Sequence, residues 1–400
     1  MKPRSLLVLL VLLCAVVHSV SAEGPAIEWQ RLLGGSSNEF GHSVQPTADG
    51  GYILLGGSSS SQNGDVTGTR HGSFTDFWVV KLDRTGTIQW QKLLGGTGND
   101  EGYSVQQTTD GGYILLGSSG SSKSGDVAGT NHGGSSDVWV VKLNSAGTIQ
   151  WQTLLGGSGY DTGRAVQQTA DGGYVLLGVS ESSQSGDVTG INHGSRDYWV
   201  VKLNGAGTIQ WQRLLGGGGL DGGRSVRQTA DGGYILLGDS LSSASGDVTG
   251  TNRGYEDFWV VKLDDAGLIE WQKTLGGSYR EIGYSVQQAA DGGYVLLGDS
   301  LSSESGDVTG SSHYMTDYWV VKLAGGQVIA VPSAAGIPGD IDTNGKYEDV
   351  NGNGRKDFAD VVLYFNQMTW IAANEPVAAF DCNGNGRIDF ADVVWLFNHL

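Results

Sequence analysis

The feature that most limits what this chain can fold into is a unit of about 60 residues that occurs five times between residues 27 and 330. Three short motifs recur in the units, at a spacing of 60 or 61 residues. Asp-Gly-Gly-Tyr begins at Asp49, Asp110, Asp171, Asp231 and Asp291, Trp-Gln at Trp29, Trp90, Trp151, Trp211 and Trp271, and Trp-Val-Val-Lys at Trp78, Trp139, Trp199, Trp259 and Trp319. A fixed period of this size is typical of propellers, solenoids and other arrays.

Each unit is predicted to form four short antiparallel strands. In the second unit β-branched and aromatic residues favour strands at Ser104–Thr108, Gly112–Ser118, Val138–Leu143 and Ile149–Leu155. Gly-bearing segments at 109–111 and 144–147 are typical of hairpin turns. Four antiparallel strands per repeat is the arrangement of a propeller blade. The chain is therefore predicted to be mainly β, a five-bladed β-propeller followed by a small all-α module.

The ends of the array favour a closed ring. A Trp-Gln strand comes first, at Ile27–Leu33, whereas the last unit lacks one after Leu323. If Ile27–Leu33 supplies the outer strand of the last blade, every blade has four strands and no sheet edge is exposed. An open or differently closed array is the alternative.

The first residues predict export. Lys2 and Arg4 precede an apolar stretch, Leu6 to Val17, and Val20-Ser21-Ala22 resembles a cleavage site, so 1–22 is interpreted as a signal peptide. No later segment is apolar for long enough to be transmembrane. The predicted domains are then the repeats at 23–331, a linker at 332–339 and a second module at 340–400. The mature protein is expected to be secreted or held at the cell surface.

Charge and cysteine content restrict the partners. Removing Lys2 and Arg4 changes the net charge from -18 to -20 (22 basic against 42 acidic residues). A chain this acidic is an unlikely ligand for phosphate backbones, so no nucleic-acid partner is expected. With Cys382 as the one cysteine after residue 22, an intramolecular disulfide is excluded, and stability is expected to come from the core and from metal.

The loops after each Leu-Gly-Gly are a candidate binding surface, because long loops on a rigid scaffold often bind ligands. They hold one acid per unit, at Glu39, Asp100, Asp161, Asp221 and Glu281. Three residues later the units diverge, to His42, Tyr103, Arg164, Arg224 and Tyr284. The acids could form a binding ring for a glycan or peptide, or could accept backbone N–H bonds in turns. The variable ring is the better ligand candidate, although surface drift also explains it.

A second set of loop positions holds histidine in four units and arginine in the fourth unit along the chain: His71, His132, His193, Arg253 and His313. No second type of metal ligand lies at close spacing, so these side chains are expected to be solvated rather than metal-bound. The tryptophans are expected to be core, since each occupies a fixed position of its strand.

The C-terminal region contains two twelve-residue segments with the pattern of a calcium loop. They run from Asp349 to Asp360 and from Asp381 to Asp392. Oxygen-bearing side chains stand at positions 1, 3, 5, 9 and 12, and glycine at position 6 permits the sharp turn. Position 7, which is Arg355 or Arg387, would contribute its backbone carbonyl. A short helix is predicted after each loop, and its apolar residues are expected to pack the two halves together: Phe358, Val361, Val362 and Phe365, and Phe390, Val393, Val394 and Phe397.

These duplicated loop–helix segments resemble type I dockerins. The resemblance implies Ca²⁺ ligands at Asp349, Asn351, Asn353, Asp360, Asp381, Asn383, Asn385 and Asp392, with Asp357 and Asp389 binding directly or through water. It also implies a cohesin-like or cell-surface protein partner. Loop positions 10 and 11, which help dockerins to choose that partner, are Phe-Ala in both loops instead of the usual hydroxyl pair, and the later basic pair is replaced by Asn366-Gln367 and Asn398-His399.

Two further features accompany the resemblance. Asp340, Asp342 and Asn344 begin another loop of the same type, which could be a third, overlapping calcium site or only an acidic lead-in. The Asp-Gly-Gly-Tyr-Ile-Leu-Leu-Gly units resemble repeats in secreted surface proteins of prokaryotes, including archaea, and this favours an extracellular location.

Three functions remain open from the sequence. The first is a calcium-stabilised, non-catalytic recognition or adhesion protein that binds a glycan or protein. The second is a polysaccharide-degrading glycoside hydrolase or cellulosome-like component, with Glu101 and Glu181 as candidate carboxylates. Five-fold repetition disfavours catalysis, because equivalent positions have equivalent surroundings and catalytic acids need different ones. The third is a structural role in a surface layer.

Overall fold

A computed structural model describes residues 26–325, 347, 349–350, 355–374, 377–384 and 386–399. The predicted signal peptide and linker lie outside these residues. The described part of the chain divides into two units, one ending at Leu32 and one beginning at Leu33. In the first unit, residues 26–32 form neither helix nor strand.

The second unit contains 19 strands in five antiparallel sheets. Sheets 1 to 4 have four strands each and sheet 5 has three, and within every sheet consecutive strands are neighbours. Sheets 1 and 2 contain β1 (Glu39–Pro46), β2 (Tyr52–Ser58), β3 (Asp76–Leu82), β4 (Ile88–Leu94), β5 (Asp100–Gln107), β6 (Tyr113–Ser119), β7 (Asp137–Leu143) and β8 (Ile149–Leu155). Sheets 3 to 5 contain β9 (Asp161–Gln168), β10 (Tyr174–Ser180), β11 (Asp197–Leu203), β12 (Ile209–Leu215), β13 (Asp221–Gln228), β14 (Tyr234–Ser240), β15 (Asp257–Leu263), β16 (Ile269–Leu275), β17 (Glu281–Gln288), β18 (Tyr294–Ser300) and β19 (Asp317–Leu323). The predicted four-stranded antiparallel unit is confirmed for sheets 1 to 4.

The repeated motifs hold each sheet together through polar contacts. In sheet 2 the Nζ of Lys142 is buried and lies 2.9 Å from the Oδ2 of Asp110, so the Trp-Val-Val-Lys strand is tied to the Asp-Gly-Gly-Tyr turn. Burial opposes ionisation of Asp110, but hydrogen bonds from Thr108 and Lys142 lower its pKa to about 2. The Nε1 of Trp139 donates to the Oε1 of Gln152 at 3.0 Å, which joins the two tryptophan motifs.

Successive sheets pack face to face through apolar clusters. Between sheets 1 and 2, Leu55 and Phe77 contact Leu115 and Trp139, and the Phe77 and Trp139 rings are 4.7 Å apart. Equivalent clusters join sheets 2 and 3, 3 and 4, and 4 and 5. A fully buried aromatic side chain contributes roughly 1.5–3 kcal/mol. Trp78, Trp139, Trp199 and Trp259 are therefore core residues, as predicted. Trp319 and the Trp-Gln residues Trp90, Trp151 and Trp211 are only partly buried and Trp271 is 36% exposed, so the prediction is wrong for them.

The outer strand predicted for the last sheet is not observed. Among the described residues, 27–33 form no strand, Ile27 and Leu32 are exposed, and sheet 5 ends at β19. In sheets 1 to 4 a short hairpin joins the third and fourth strands, for example 83–87 between β3 and β4. A strand taken from the opposite end of the array has no such hairpin, and it must offset a much larger loop-closure entropy.

The described residues of the C-terminal module form three helices: α1 (Phe358–Asn374), α2 (Val377–Phe380) and α3 (Phe390–Asn398). Its core includes Val361 and Tyr364 of α1 and Val393 and Leu396 of α3. The hydroxyl of Tyr364 donates to the carbonyl of Phe380, which fixes α2 against α1. Cys382 is buried in the same core.

Candidate functional site

All five predicted ring residues occupy the same structural position, a bulge in the first strand of each sheet. In β1 the pairing with β2 moves from Gly41 to Ser43, so His42 has no partner in the ladder. Tyr103, Arg164, Arg224 and Tyr284 are skipped in the same way. Bulges often redirect a side chain near a functional site. The prediction that these residues lie on loops is therefore wrong, because each first strand begins earlier than its sequence suggests.

The structure brings the ring residues of neighbouring sheets together. The rings of His42 and Tyr103 are 5.0 Å apart, and the guanidinium of Arg164 lies over the Tyr103 ring at 4.3 Å. Arg224 lies over the Tyr284 ring at 5.4 Å. Arg164 and Arg224 in turn line one cavity. The five side chains thus form a continuous row of aromatic and basic groups, with the two arginines next to each other.

The repeated acids are structural and do not form a ligand-binding ring. Asp100, Asp161, Asp221 and Glu281 are fully buried. In sheet 2 the Oδ2 of Asp100 accepts from the backbone N–H of Gly96 at 2.7 Å and from the hydroxyl of Ser121 at 2.9 Å. The alternative interpretation, in which these acids accept backbone N–H bonds in turns, is confirmed.

The loop histidines connect one sheet to the next. His71 lies 3.2 Å from Asp76 of its own sheet and 3.6 Å from Asp126 of the following sheet. His132 and His193 make the equivalent pairs of contacts, and Arg253 does so with Asp257 and Asp307. For His71, His132 and His193 the expectation of merely solvated side chains is wrong, because acidic partners converge on them from two loops that are distant in sequence. His313 is 88% exposed and lies beside Asp317, so for this residue the expectation holds.

Buried carboxyl groups should make the stability of the sheets depend on pH. Burial, together with the negative charge of a neighbouring carboxylate, raises the pKa of Asp100, Asp197 and Asp257 to about 6. A raised folded-state pKa contributes stability that is fully present below the unfolded value, about 3.9, and is lost as pH rises through 6. We expect the midpoint of thermal unfolding of the sheets to increase as pH is lowered from 7 to 4.5. A midpoint that falls as the pH is lowered over this interval would show that the buried carboxyl groups do not control stability in this way. The variant Asp100→Asn should show a smaller change of the midpoint with pH than the native chain.

The second calcium-type loop closes on itself through buried carboxylates. Asp381 and Asp392 are 4% and 0% exposed. The Oδ1 of Asp392 accepts from the backbone N–H of Asn383 at 3.1 Å and from its Nδ2 at 2.7 Å. Burial raises the pKa of Asp392, and the negative charges of Asp381 and Asp389 raise it further. Clustered, buried oxygen donors of this kind fit a hard divalent cation such as Ca²⁺.

The first loop matches the second wherever both are described. Asp349 and Asp360 are 3% and 0% exposed, at the positions of Asp381 and Asp392. Asp357 and Asp389 each accept a 2.8 Å hydrogen bond from the second residue of the following helix, so both cap a helix. The side chains of Arg355 and Arg387 are exposed. Only the backbone carbonyls of these two residues could therefore bind the cation, as predicted for loop position 7.

Several predicted calcium residues cannot be placed. Asp340, Asp342, Asn344, Asn351, Asn353 and Asn385 lie outside the described residues. Among the residues that are described, no group of three His, Cys, Asp or Glu side chains has the arrangement of a complete metal site.

The two helices expose a symmetric apolar face. Phe358, Val362 and Phe365 of α1 are 60%, 42% and 55% exposed, and their counterparts Phe390, Val394 and Phe397 of α3 are 54%, 42% and 54% exposed. Phe358 packs edge-to-face on Phe397, and Phe365 on Phe390. Together with Val361 and Val393 they line an open apolar cavity of about 350 Å³. The predicted packing of the two halves is present in these ring contacts, but all four phenylalanines remain more than half exposed. The repetition of phenylalanine at loop position 10, which helps dockerins to choose a partner, was the sequence feature that could have indicated this exposed face.

The candidate catalytic acids have separate partners in separate sheets. The Oε1 of Glu101 lies 2.8 Å from the Nε2 of His42. The Oε1 of Glu181 lies 2.9 Å from the Nη2 of Arg196. Glycoside hydrolases place two carboxyls about 5–10 Å apart across one bond. No described contact joins Glu101 to Glu181.

Residues 347–400 match the Dockerin type I domain family, so the resemblance of the C-terminal module to type I dockerins is confirmed. The match covers the helical module and its paired loops. Dockerin domains of this family bind calcium and cohesins. Among the described residues, no helix is both long and apolar enough to cross a membrane.

Three further likenesses are more distant. The regulatory protein FlaEY of Caulobacter vibrioides is 25% identical over 147 residues, which are 35% of this chain and 15% of that protein. A Dyadobacter fermentans protein of unknown function has a TM-score of 0.44 at 11% identity, over 73% of this chain and 81% of its own. Kuenenia stuttgartiensis hydrazine synthase has a TM-score of 0.42 at 11% identity, over 70% and 62%. Likenesses this loose support no conclusion about function.

Proposed function

We propose that this chain is a secreted, non-catalytic docking and recognition protein. In this proposal the C-terminal module folds around Ca²⁺ and docks onto a cohesin-like protein at a cell surface or scaffold. The five sheets close into a propeller that presents the ring residues to a glycan or protein. The signal-like N-terminus and the match to dockerins support the location and the docking role.

The exposed apolar face of the module is the observation that carries the docking proposal. Six large apolar side chains from two helices remain in contact with water, although a monomer gains nothing by exposing them together. Protein interfaces are enriched in aromatic residues at their centre, and a few such residues supply most of the binding energy. The phenylalanines at loop position 10 take the place of the usual hydroxyl pair, so the preferred partner should offer an apolar surface.

Docking is expected to depend on both calcium and the phenylalanines. Binding of the full chain to a panel of type I cohesins can be measured by calorimetry with calcium or with EDTA. Phe358→Asp with Phe365→Asp should weaken docking by tenfold or more, since burying a carboxylate against an apolar surface is costly. Tyr255→Asp is the matched control, because Tyr255 is also exposed but lies in the repeats.

The docking proposal fails if the double variant binds as tightly as the native chain. It also fails if EDTA leaves the affinity unchanged. Recognition by the repeats is a separate part of the proposal, because the ring residues and the phenylalanines lie on different modules.

A further inference from the structure

Four arginines gather at one place in a strongly acidic chain. Arg164, Arg196, Arg224 and Arg280 line a cavity of about 160 Å³, in which the described acids are Asp239 and Glu256. The lining therefore carries two more positive than negative charges, or only one more when Glu181, the partner of Arg196, is included, whereas the whole chain has a net charge of -18. Local positive potential of this kind attracts anions.

The arginines are positioned by neighbours that leave donors available. The Nε of Arg224 lies 2.7 Å from the Oδ1 of Asp239, and the Nε of Arg280 lies 3.4 Å from the Oε2 of Glu256. Because a guanidinium has five N–H donors, each contact uses only part of the group. Arg164 stacks on Tyr103 and has no carboxylate partner in the described part of the chain. Arg196 is paired through its Nη2 with Glu181 at 2.9 Å, but its buried Nε has no hydrogen-bond partner among the described residues.

The cavity is built where the repeats differ from one another. Arg196 occupies the position held by Thr75 in the first unit and Ser136 in the second. Arg280 occupies the position held by Asn99 in the second unit and Leu220 in the fourth. These positions precede the buried aspartates and glutamates, which are common to all units. The packing of the sheets therefore does not require arginine at either position.

We propose that this cavity binds an acidic sugar residue, with the arginines holding its carboxylate or sulfate group. A planar guanidinium matches both groups with paired hydrogen bonds. Asp239 and Glu256 supply acceptors for sugar hydroxyls, which the side chain of an acidic peptide lacks. The volume is several times the roughly 30 Å³ of one water but below the roughly 300 Å³ of sites for drug-sized ligands, so one ring of a longer chain enters. This assignment rests on the proposed recognition role of the repeats and narrows its ligand class.

The test uses the full-length, calcium-loaded protein and matched polysaccharide pairs. Polygalacturonate is compared with its fully methyl-esterified form, and dextran sulfate with dextran, by calorimetry or surface binding at fixed salt. Polyglutamate tests an acidic peptide. The native chain should bind one or both acidic polysaccharides at least tenfold more tightly than their neutral partners and more tightly than polyglutamate. A preference within the polygalacturonate pair would identify the bound group as a carboxylate, and a preference within the dextran pair would identify it as a sulfate.

Arg164→Gln should reduce that affinity by about tenfold, because a hydrogen bond between charged groups is lost. Its thermal unfolding should be unchanged, since no described carboxylate loses a partner. Arg84→Gln, an exposed change in the 83–87 turn, removes the same charge and should leave binding unaltered.

Four results would overturn the assignment: equal binding of acidic and neutral forms, equal binding of polyglutamate, equal losses in both variants, or no binding of either acidic polysaccharide. The docking assay is read separately with the same preparations. A chain that docks but does not prefer acidic sugars refutes this assignment and leaves the proposed docking intact. A chain that prefers acidic sugars but does not dock supports this assignment and refutes the proposed docking.

Discussion

Chelation of calcium is expected to unfold the C-terminal module while the five sheets stay folded. Asp349, Asp360, Asp381 and Asp392 are almost completely buried, and clustered carboxylates repel one another without a cation. Calcium at about 1,000 times its Kd would stabilise the module by about 4 kcal/mol, which is a large part of the stability of a small domain. Hydrogen exchange resolved by peptide should show α1 and α3 losing protection in EDTA, with β10 and β11 unchanged.

Variants separate calcium from general charge effects. Asp381→Ala with Asp392→Ala should leave α3 unprotected even in excess calcium, because the first and last ligands of its loop are removed. Asp265→Asn, at an exposed hairpin position of sheet 4, is the control and should behave like the native chain. Protection of both helices that survives EDTA would show that calcium does not hold the module together.

Gly178→Ala is expected to destabilise the third sheet by about 3 kcal/mol or more. Gly178 pairs with Gly163 beside the bulge at Arg164, and an added Cβ would overlap the carbonyl oxygen of Thr162. Backbone atoms in the middle of a ladder cannot move aside as a flexible side chain can. The glycines of the other sheets at this position, Gly56, Gly117, Gly238 and Gly298, meet the same obstacle. The substitution should lower the unfolding midpoint in urea and displace Arg164, which would weaken binding at the arginine cavity.

Gly41→Ala is the matched control for this effect. Gly41 also lies beside a bulge, but a Cβ there has no neighbouring atom within 4 Å. Its unfolding midpoint should equal that of the native chain. Equal midpoints for Gly178→Ala and Gly41→Ala would mean that the bulge geometry does not depend on glycine.

Periodicity predicted the sheets well because their pattern is local. Strand β8 begins and ends where alternation and the flanking glycine predicted, at Ile149 and Leu155. The first strand of each unit was placed too late, since Asp100 to Tyr103 contains an acid and a glycine that are rare in strands. Hydrogen bonds from serine hydroxyls and a backbone N–H offset the cost of burying that acid. Strand propensities are assigned from local sequence, so they do not include hydrogen-bond partners that lie further along the chain.

The functional residues that the sequence did not indicate depend on contacts between units. Arg196 and Arg280 are 84 residues apart, and only the packing of neighbouring sheets brings them to one cavity. The loop histidines likewise find their second aspartate in the following unit. In the C-terminal module, helical periodicity correctly placed the phenylalanines on one face of each helix. It could not show that this face stays exposed while other residues of the two helices form the core.

The bulge has a consequence for how such a protein can change over time. Its residue makes no ladder pair, so substitutions there leave the strand register and the neighbouring cores undisturbed. Every unit thus offers one site that tolerates new chemistry on a fixed frame, and units contact chiefly their immediate neighbours. Duplication of a unit followed by exchange at this site would generate new specificities without redesign of the scaffold.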